Sequence, residues 1–246
     1  MRLLSDKIAV VTGGTSGIGE ATARAIVNEG GKVVIIGRND EKGQAIIEEL
    51  NSIEEKAFYV HCDVSDSTSI EDMGKQLRDR FDHVDILFNN SGTIMPSMEI
   101  ERIPIDEWKK TFEVNMDGVF LVTRTLKDLV VKCKGCIVNN ASIAGLHSYV
   151  IGRSYAYSAS KAAVIQFTRQ MAKNYGEDGV RVNCICPGII DTPILGDRDK
   201  NEYAKRVPMG YIAAPLEVAK VVVFLASDYA CYVTGAVLPV DGGVSL

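Results

Sequence analysis

The chain is short of most features that announce a specialised class. Of its 246 residues only 7% are aromatic, six are cysteine, seven are proline and three are histidine. No apolar run approaches the roughly 18–20 residues a membrane-crossing helix needs, which excludes a spanning protein. Basic residues are not in excess. Lys and Arg number 27 against 32 Asp and Glu, a formal charge of −5, so the footprint of a nucleic-acid binder is missing. Six cysteines are too few for a disulfide scaffold. Cys133 and Cys136 form a C-x-x-C and Cys184 and Cys186 a C-x-C, but no second ligand pair at zinc-site spacing accompanies them, so no metal is expected. Reduced, mostly buried thiols in a cytoplasmic protein are the expectation. Met1–Lys7 turns polar too early for a secretory signal. At 46% apolar residues, disorder is excluded too.

What is present is alternation. Short apolar runs at Ile8–Thr12, Lys32–Gly37, Ala57–Cys62, Val84–Asn89, Gly135–Asn140, Val180–Cys186 and Ala236–Val240 read as strands, most of them rich in Val and Ile as strands buried on both faces should be. Between them Gly17–Glu29, Asp40–Ile53, Ser67–Phe81, Asp106–Lys132, Tyr155–Gly176 and Leu216–Ser227 read as helices. This predicts an α/β fold: one domain over residues 1–246, with a doubly wound parallel seven-stranded sheet and helices on both faces. Thr192–Ala214 carries charges, two prolines and no apolar strand, and reads as a mobile lid late in the fold.

Thr12-Gly13-Gly14-Thr15-Ser16-Gly17-Ile18-Gly19 follows the first strand and opens the first helix. Glycines let a phosphate approach the backbone, and free N–H groups at a helix start bind the anion, so a dinucleotide is expected here. Its type is set at the end of the second strand. An NAD site places an acid there for the ribose hydroxyls. This chain has Gly37 followed by Arg38, whose guanidinium suits a 2′-phosphate, so NADP(H) is favoured over NAD(H). Ser16 adds no second positive charge, and Asp40 and Glu41 are near enough to neutralise Arg38. Asp63 and Val64 end the third strand where an adenine amino group would be held.

Of the nine tyrosines only Tyr157 has a lysine four residues on, Lys161, which places both on one helix face. A phenol titrates near 10, and a nearby ammonium would lower that value into a range useful for acid–base work. Ser142, just past the fifth strand, could donate to a substrate oxygen; taken alone it reads as a capping or turn serine.

At this point the chain resembles the short-chain dehydrogenase/reductase family. The resemblance rests on motifs in order from residue 12 to 243: the glycine loop, Asp63, Asn89-Asn90-Ser91-Gly92, Asn115, Ser142, Tyr157 with Lys161, Pro187-Gly188-Ile189-Ile190-Asp191-Thr192 and Val240-Asp241-Gly242-Gly243. It implies a Rossmann-like domain, metal-free reversible hydride transfer between nicotinamide and a carbonyl carbon, and a role for each matched residue. Tyr157 would transfer the proton, Lys161 would tune it and hold the nicotinamide ribose, and Ser142 would orient the substrate oxygen. Asn115 would position a water in a proton relay. Asn89 would brace the central strand beside the cofactor, with Pro187, Gly188, Ile190 and Thr192 near the nicotinamide. The resemblance also implies a homotetramer or dimer built on the helices containing Trp108–Val131 and Tyr155–Tyr175.

Two departures stand out: Ser91 replaces the usual alanine, and Ser142 and Tyr157 are 15 residues apart, longer than usual, the extra length falling in Gly145–Arg153. Ile94, Met95, His147, Tyr149, Ile194 and Leu195 are pocket candidates, His147 and Tyr149 with Ser142 and Tyr157 for substrate contact. An apolar lining with few polar groups suits a bulky secondary alcohol or ketone such as a hydroxysteroid. The alternative is a 3-oxoacyl-[acyl-carrier-protein] reductase, whose acidic partner needs a basic patch at the mouth. Lys132 and Lys134 could contribute to one, but Glu177 and Asp178 have the opposite sign where such reductases carry arginine. A catalytically silent dinucleotide-binding regulator is the third reading. The intact Asn–Ser–Tyr–Lys set speaks against it.

Overall fold

The computed structural model describes residues 2–52, 54–95, 98–147, 154–196 and 199–246. In chain order it forms β1 (Ile8–Thr12), α1 (Gly17–Asn28), β2 (Lys32–Gly37), α2 (Asp40–Leu50), β3 (Ala57–His61), α3 (Ser67–Arg80), β4 (Ile86–Asn89), α4 (Ile105–Phe112), α5 (Gly118–Lys132), β5 (Cys136–Asn140), α6 (Tyr155–Tyr175), β6 (Arg181–Pro187), α7 (Lys200–Ala204), α8 (Pro215–Ala226) and β7 (Val237–Val240). The strands make one sheet in the order β3-β2-β1-β4-β5-β6-β7, and every neighbouring pair is parallel.

Successive strand side chains point to opposite faces, so each apolar run feeds two cores. Ala9, Val11, Val33, Ile35, Ile86, Phe88 and Val138 pack with Ala23 and Ile26 of α1 and Val218 and Val222 of α8. Val10, Val34, Leu87 and Ile137 pack on the other face with Ile70 and Met73 of α3, Leu126 of α5 and Met171 of α6. Burying each such side chain contributes about 1.5–3 kcal/mol, which is why both faces of this sheet are covered. A smaller cluster of Val119, Ala141, Ile143, Val164, Ile165, Cys184 and Cys186 sits beside the C-terminal ends of β5 and β6. Asn39 and Asp66 cap α2 and α3 by accepting backbone N–H bonds from Lys42 and Thr68.

The single helix expected over Asp106–Lys132 is not one helix. Its hydrogen bonding widens into a π-turn at Glu113–Asp117, so α4 and α5 are separate segments. Gly118 restarts the helix against the loop after β3; a Cβ there would lie 2.9 Å from the Val64 carbonyl. The third strand stops at His61, so Asp63 lies two residues beyond it. The chain leaves β1 towards β2 and β3, then crosses to β4 on the other side of β1. That reversal opens a crevice at the C-terminal ends of β1 and β4, where doubly wound sheets bind their ligands.

Candidate active site

The loop between β1 and α1 is shaped by glycine. Gly13 and Gly17 have φ of +62° and +55°, a left-handed backbone that side chains with a Cβ rarely adopt. A Cβ on Gly19 would lie 2.2 Å from the Gly13 carbonyl and 2.5 Å from Asn90 Nδ2, so loop and helix touch through bare backbone. Ser16 is the N-cap of α1 but makes no side-chain capping bond, which leaves its hydroxyl and the first-turn N–H groups for an anion. Thr15 fills the space over Gly37, where an added Cβ would meet its Cγ2 at 2.8 Å. Thr192 reaches over the same loop, 3.2 Å from a Cβ placed on Gly17.

A hydrogen-bonded chain runs from this loop to the lysine. Asn90 and Ser91 donate backbone N–H bonds to Thr12 Oγ1 at 2.9 and 3.0 Å, and Asn90 Nδ2 donates to the Thr12 and Gly13 carbonyls. Asn140 Nδ2 donates to Asn90 Oδ1 at 2.8 Å, and the Asn140 carbonyl accepts from Lys161 Nζ at 2.6 Å. One register position back, Asn89 ties β4 to Thr123 of α5 and Asn139 of β5, and Asn139 continues to Thr168 of α6. Among the described residues two buried side-chain oxygens have no partner, Asn89 Oδ1 and Asn140 Oδ1. An unpaired buried acceptor costs about 1–3 kcal/mol and marks a place made for something else. With the glycine cradle and the uncapped helix start, the crevice fits a dinucleotide.

Lys161 is only 3% exposed, and burial pushes its pKa down to about 8. Ser142 accepts from the Ala144 N–H at 3.1 Å, as the capping reading expects, and also hydrogen-bonds the Tyr157 phenol. The expected lowering of the Tyr157 pKa does not occur. Burial pushes the phenol up, the Ser142 bond only opposes this, and the Lys161 ammonium, 5.8 Å from the ring centre, is engaged by Asn140 instead.

Asn115 lies in the π-turn and is fully buried. It accepts from the Thr93 N–H at 2.8 Å and donates to the Thr93 carbonyl at 2.9 Å and Ser160 Oγ at 3.1 Å. Its side chain therefore clamps the Gly92–Thr93 strap. A Cβ on Gly92 would come 3.4 Å from both Asn115 Oδ1 and Lys161 Nζ, which brings the two onto one spot.

The remaining expected residues spread around the crevice. Gly188 donates to the Val240 carbonyl, and Ile190 is buried and bridges Ala213. Met95 and Leu195 are buried, Ile194 is 53% exposed and His147 is half-buried; Tyr149 lies outside the described residues. Cys184 and Cys186 are fully buried; hydrogen bonding to Cys184 together with burial pushes the Cys186 thiol up, leaving a neutral packing group. Asp40 does not neutralise Arg38, because it accepts from Tyr59 and contacts His61. Lys132 and Lys134 flank the start of β5, the end opposite Ser142, and Glu177 and Asp178 follow the far end of α6, so none of the four lines this chain's own mouth. Thr12, Asn90, Asn140 and Ser160 gain roles their context did not signal. The one trace was the Asn-Asn doublet closing both β4 and β5.

A family profile described as Enoyl-(Acyl carrier protein) reductase matches residues 12–245. The chain is 37% identical to meso-2,3-butanediol dehydrogenase of Serratia marcescens over 98% of its own length and 95% of that protein. The chain belongs to the short-chain dehydrogenase/reductase family. Two solved structures share its fold at a TM-score of 0.93 and 29% identity: the Pseudomonas aeruginosa RhlG/NADP active-site complex, covering 100% of both chains, and 3-ketoacyl-(acyl-carrier-protein) reductase from Brucella melitensis complexed with NADH, covering 99% of this chain and 100% of that one. Members of this family bind NADP or NADH, and this member is an oxidoreductase acting on an alcohol or ketone. The parallel sheet is the family's Rossmann-like architecture. Among the described residues no helix is long and apolar enough to cross a membrane.

Proposed function

We propose that this enzyme interconverts a free secondary alcohol and its ketone, with NADP(H) preferred over NAD(H). The observation that carries this is the meeting of Ser142, Tyr157, Lys161 and the Asn115-held strap at the end of the glycine-loop crevice. When bound, the dinucleotide supplies or accepts hydride at its nicotinamide. Ser142 holds the substrate oxygen by hydrogen bond and polarises it. Tyr157 gives that oxygen its proton in reduction and takes it back in oxidation. Its raised pKa keeps the phenol neutral at pH 7, which suits it to act as the acid in ketone reduction; oxidation gains as pH rises. Lys161 would hold the nicotinamide ribose, and Asn115 keeps the strap beside Lys161 in place.

Gly13, Thr15, Ser16, Gly17, Ile18 and Gly19 would cradle the pyrophosphate, Asp63 and Val64 the adenine, and Pro187, Gly188, Ile190 and Thr192 the nicotinamide, with Asn89 bracing the strand beneath. Arg38 would contact a 2′-phosphate, and the absence of an acid at Gly37, where Thr15 fills the space, supports this. The segment 192–214 would act as the substrate lid, anchored at its ends by the Lys200–Asp191 pair at 2.8 Å, the Met209 N–H to the Gly242 carbonyl and the Asp191 N–H to the Ala213 carbonyl. Buried Met95 and Leu195 and half-buried His147 suit a bulky alcohol such as a hydroxysteroid. We place the protein in the cytoplasm as a homotetramer or dimer; its six cysteines are all free, and exposed Phe120 on α5 and Phe224 on α8 support assembly.

The likeness to a 3-ketoacyl-(acyl-carrier-protein) reductase favours a second reading, reduction of an acyl thioester. A screen over steroids, polyols, sugars and acyl thioesters with both cofactors, followed at the nicotinamide absorbance, separates the two. Turnover of a free ketone supports the first reading, and turnover of thioesters alone overturns it.

A further inference from the structure

A carboxylate stands beside Arg38, the cation that would meet the adenosine ribose. Arg38 is 67% exposed, and its Nη1 lies 3.5 Å from Asp63 Oδ2. The other oxygen of Asp63 accepts from the Ser65 N–H at 2.9 Å and from the Ser65 hydroxyl at 2.7 Å. That hydroxyl in turn accepts from Lys110 Nζ of α4 at 2.8 Å. Asp63 is therefore fixed from behind by Ser65 and Lys110 while its free oxygen faces Arg38. These bonds and the two cations hold its carboxyl below the usual range against the burial that would raise it. Asp40, close in sequence to Arg38, is instead held by Tyr59 and His61.

Resting on the assignment of Arg38 to the 2′ position, we propose that Asp63 limits how strongly this site prefers a 2′-phosphorylated adenosine, by holding Arg38 in an ion pair that the phosphate must displace. An exposed pair at this separation is weak, so it yields to a dianion without blocking it. The displaced carboxylate stays beside the phosphate and repels it. With a plain ribose hydroxyl the pair stays intact, and Asp63 still accepts a hydrogen bond. The same corner thus accommodates both dinucleotides with a modest preference, and Lys110 moderates the repulsion by partly neutralising Asp63.

The test uses the full chain and two adenosine fragments, adenosine 2′,5′-bisphosphate and AMP, titrated by calorimetry. Asp63→Asn keeps the shape and an acceptor for Ser65 and removes the charge. Its effect on adenine binding cancels in the ratio of the two dissociation constants. The expected result is a rise of about fivefold in preference for the bisphosphate at about 50 mM salt, shrinking below about twofold at about 500 mM. Lys110→Gln, an exposed change that carries the test should Asp63→Asn not fold, shifts the preference the opposite way. An unchanged or lowered preference in Asp63→Asn, or a raised one in Lys110→Gln, overturns the role of Asp63 while Arg38→Ala still erases the preference. If Arg38→Ala leaves the preference intact, Arg38 is not the phosphate ligand and the role of Asp63 falls with it.

Discussion

The two ends of the cofactor crevice are built on opposite principles. At the catalytic end Asn115 is fully buried, Lys161 is 3% exposed, and their polar atoms are tied to backbone at 2.6–2.9 Å. At the adenosine end Arg38 is 67% exposed and its partner is 3.5 Å away. Burial makes each polar contact expensive to lose, so the proposed chemistry would sit where geometry is over-determined. Exposure makes contacts cheap to exchange, so the proposed nucleotide choice would fall where a single residue can alter it. A cavity at the opposite, N-terminal end of the strands, lined by Lys7, Asp85, Cys133 and Arg181, has neither property: Lys7 is spent on Asp85, and Arg181 on the Leu225 and Ser227 carbonyls.

The sharpest break of this contrast is at the buried end. Tyr157→Phe should lower kcat by about 10²–10⁴-fold while nucleotide affinity, followed by fluorescence titration, stays close to wild type. Unaltered turnover would remove Tyr157 from the chemistry. Next, Arg38→Asp should swing preference towards NADH by about 10–100-fold in kcat/KM, since a charge-assisted bond is worth about 1.5–3 kcal/mol. An unmoved ratio counts against a phosphate contact.

Lys161→Met is expected to kill activity yet raise stability, and the sign follows from its pKa of about 8. Below pH 8 both folded and unfolded lysine are protonated, so the folded state bears the whole desolvation cost. Between pH 8 and about 10.5 the unfolded state binds more protons, and wild-type stability recovers as pH rises. The variant should therefore gain up to about 2–3 kcal/mol at pH 7 in urea unfolding, a gain that fades above pH 8. A gain independent of pH would point to packing instead. Asn115→Leu should cost a similar 2–3 kcal/mol in the other direction, by stranding both backbone groups of Thr93. The smallest effect belongs to the exposed end: Arg38→Ala should shift unfolding by less than about 0.5 kcal/mol. A larger loss would show that the Arg38–Asp63 pair is structural.

Much of this contrast was visible in the order of residues. All seven apolar runs are strands in the expected places, because runs such as Val33–Ile36 bury both faces of a parallel sheet and leave no polar face to blur the signal. The glycine loop was legible because Gly13 and Gly17 adopt a left-handed backbone that favours glycine. The helix break at Glu113–Asp117 was not, since no local pattern marks it and the contact beside it, Gly118 against Val64, joins residues 54 positions apart. The partner of Arg38 was hidden for the same reason: nearness in sequence offered Asp40 and Glu41, nearness in space chose Asp63.

By itself, then, the sequence determined which elements form and which chemical groups are available, because backbone freedom and side-chain alternation act over a few residues. Only the tertiary structure decided how those groups behave. Strand register set Asn89 against Asn139 and linked the neighbouring Asn90 and Asn140 into one chain, and packing depth moved Lys161 down and Tyr157 up. Desolvation and long-range pairing depend on what surrounds a residue, and that is settled only when the sheet is assembled.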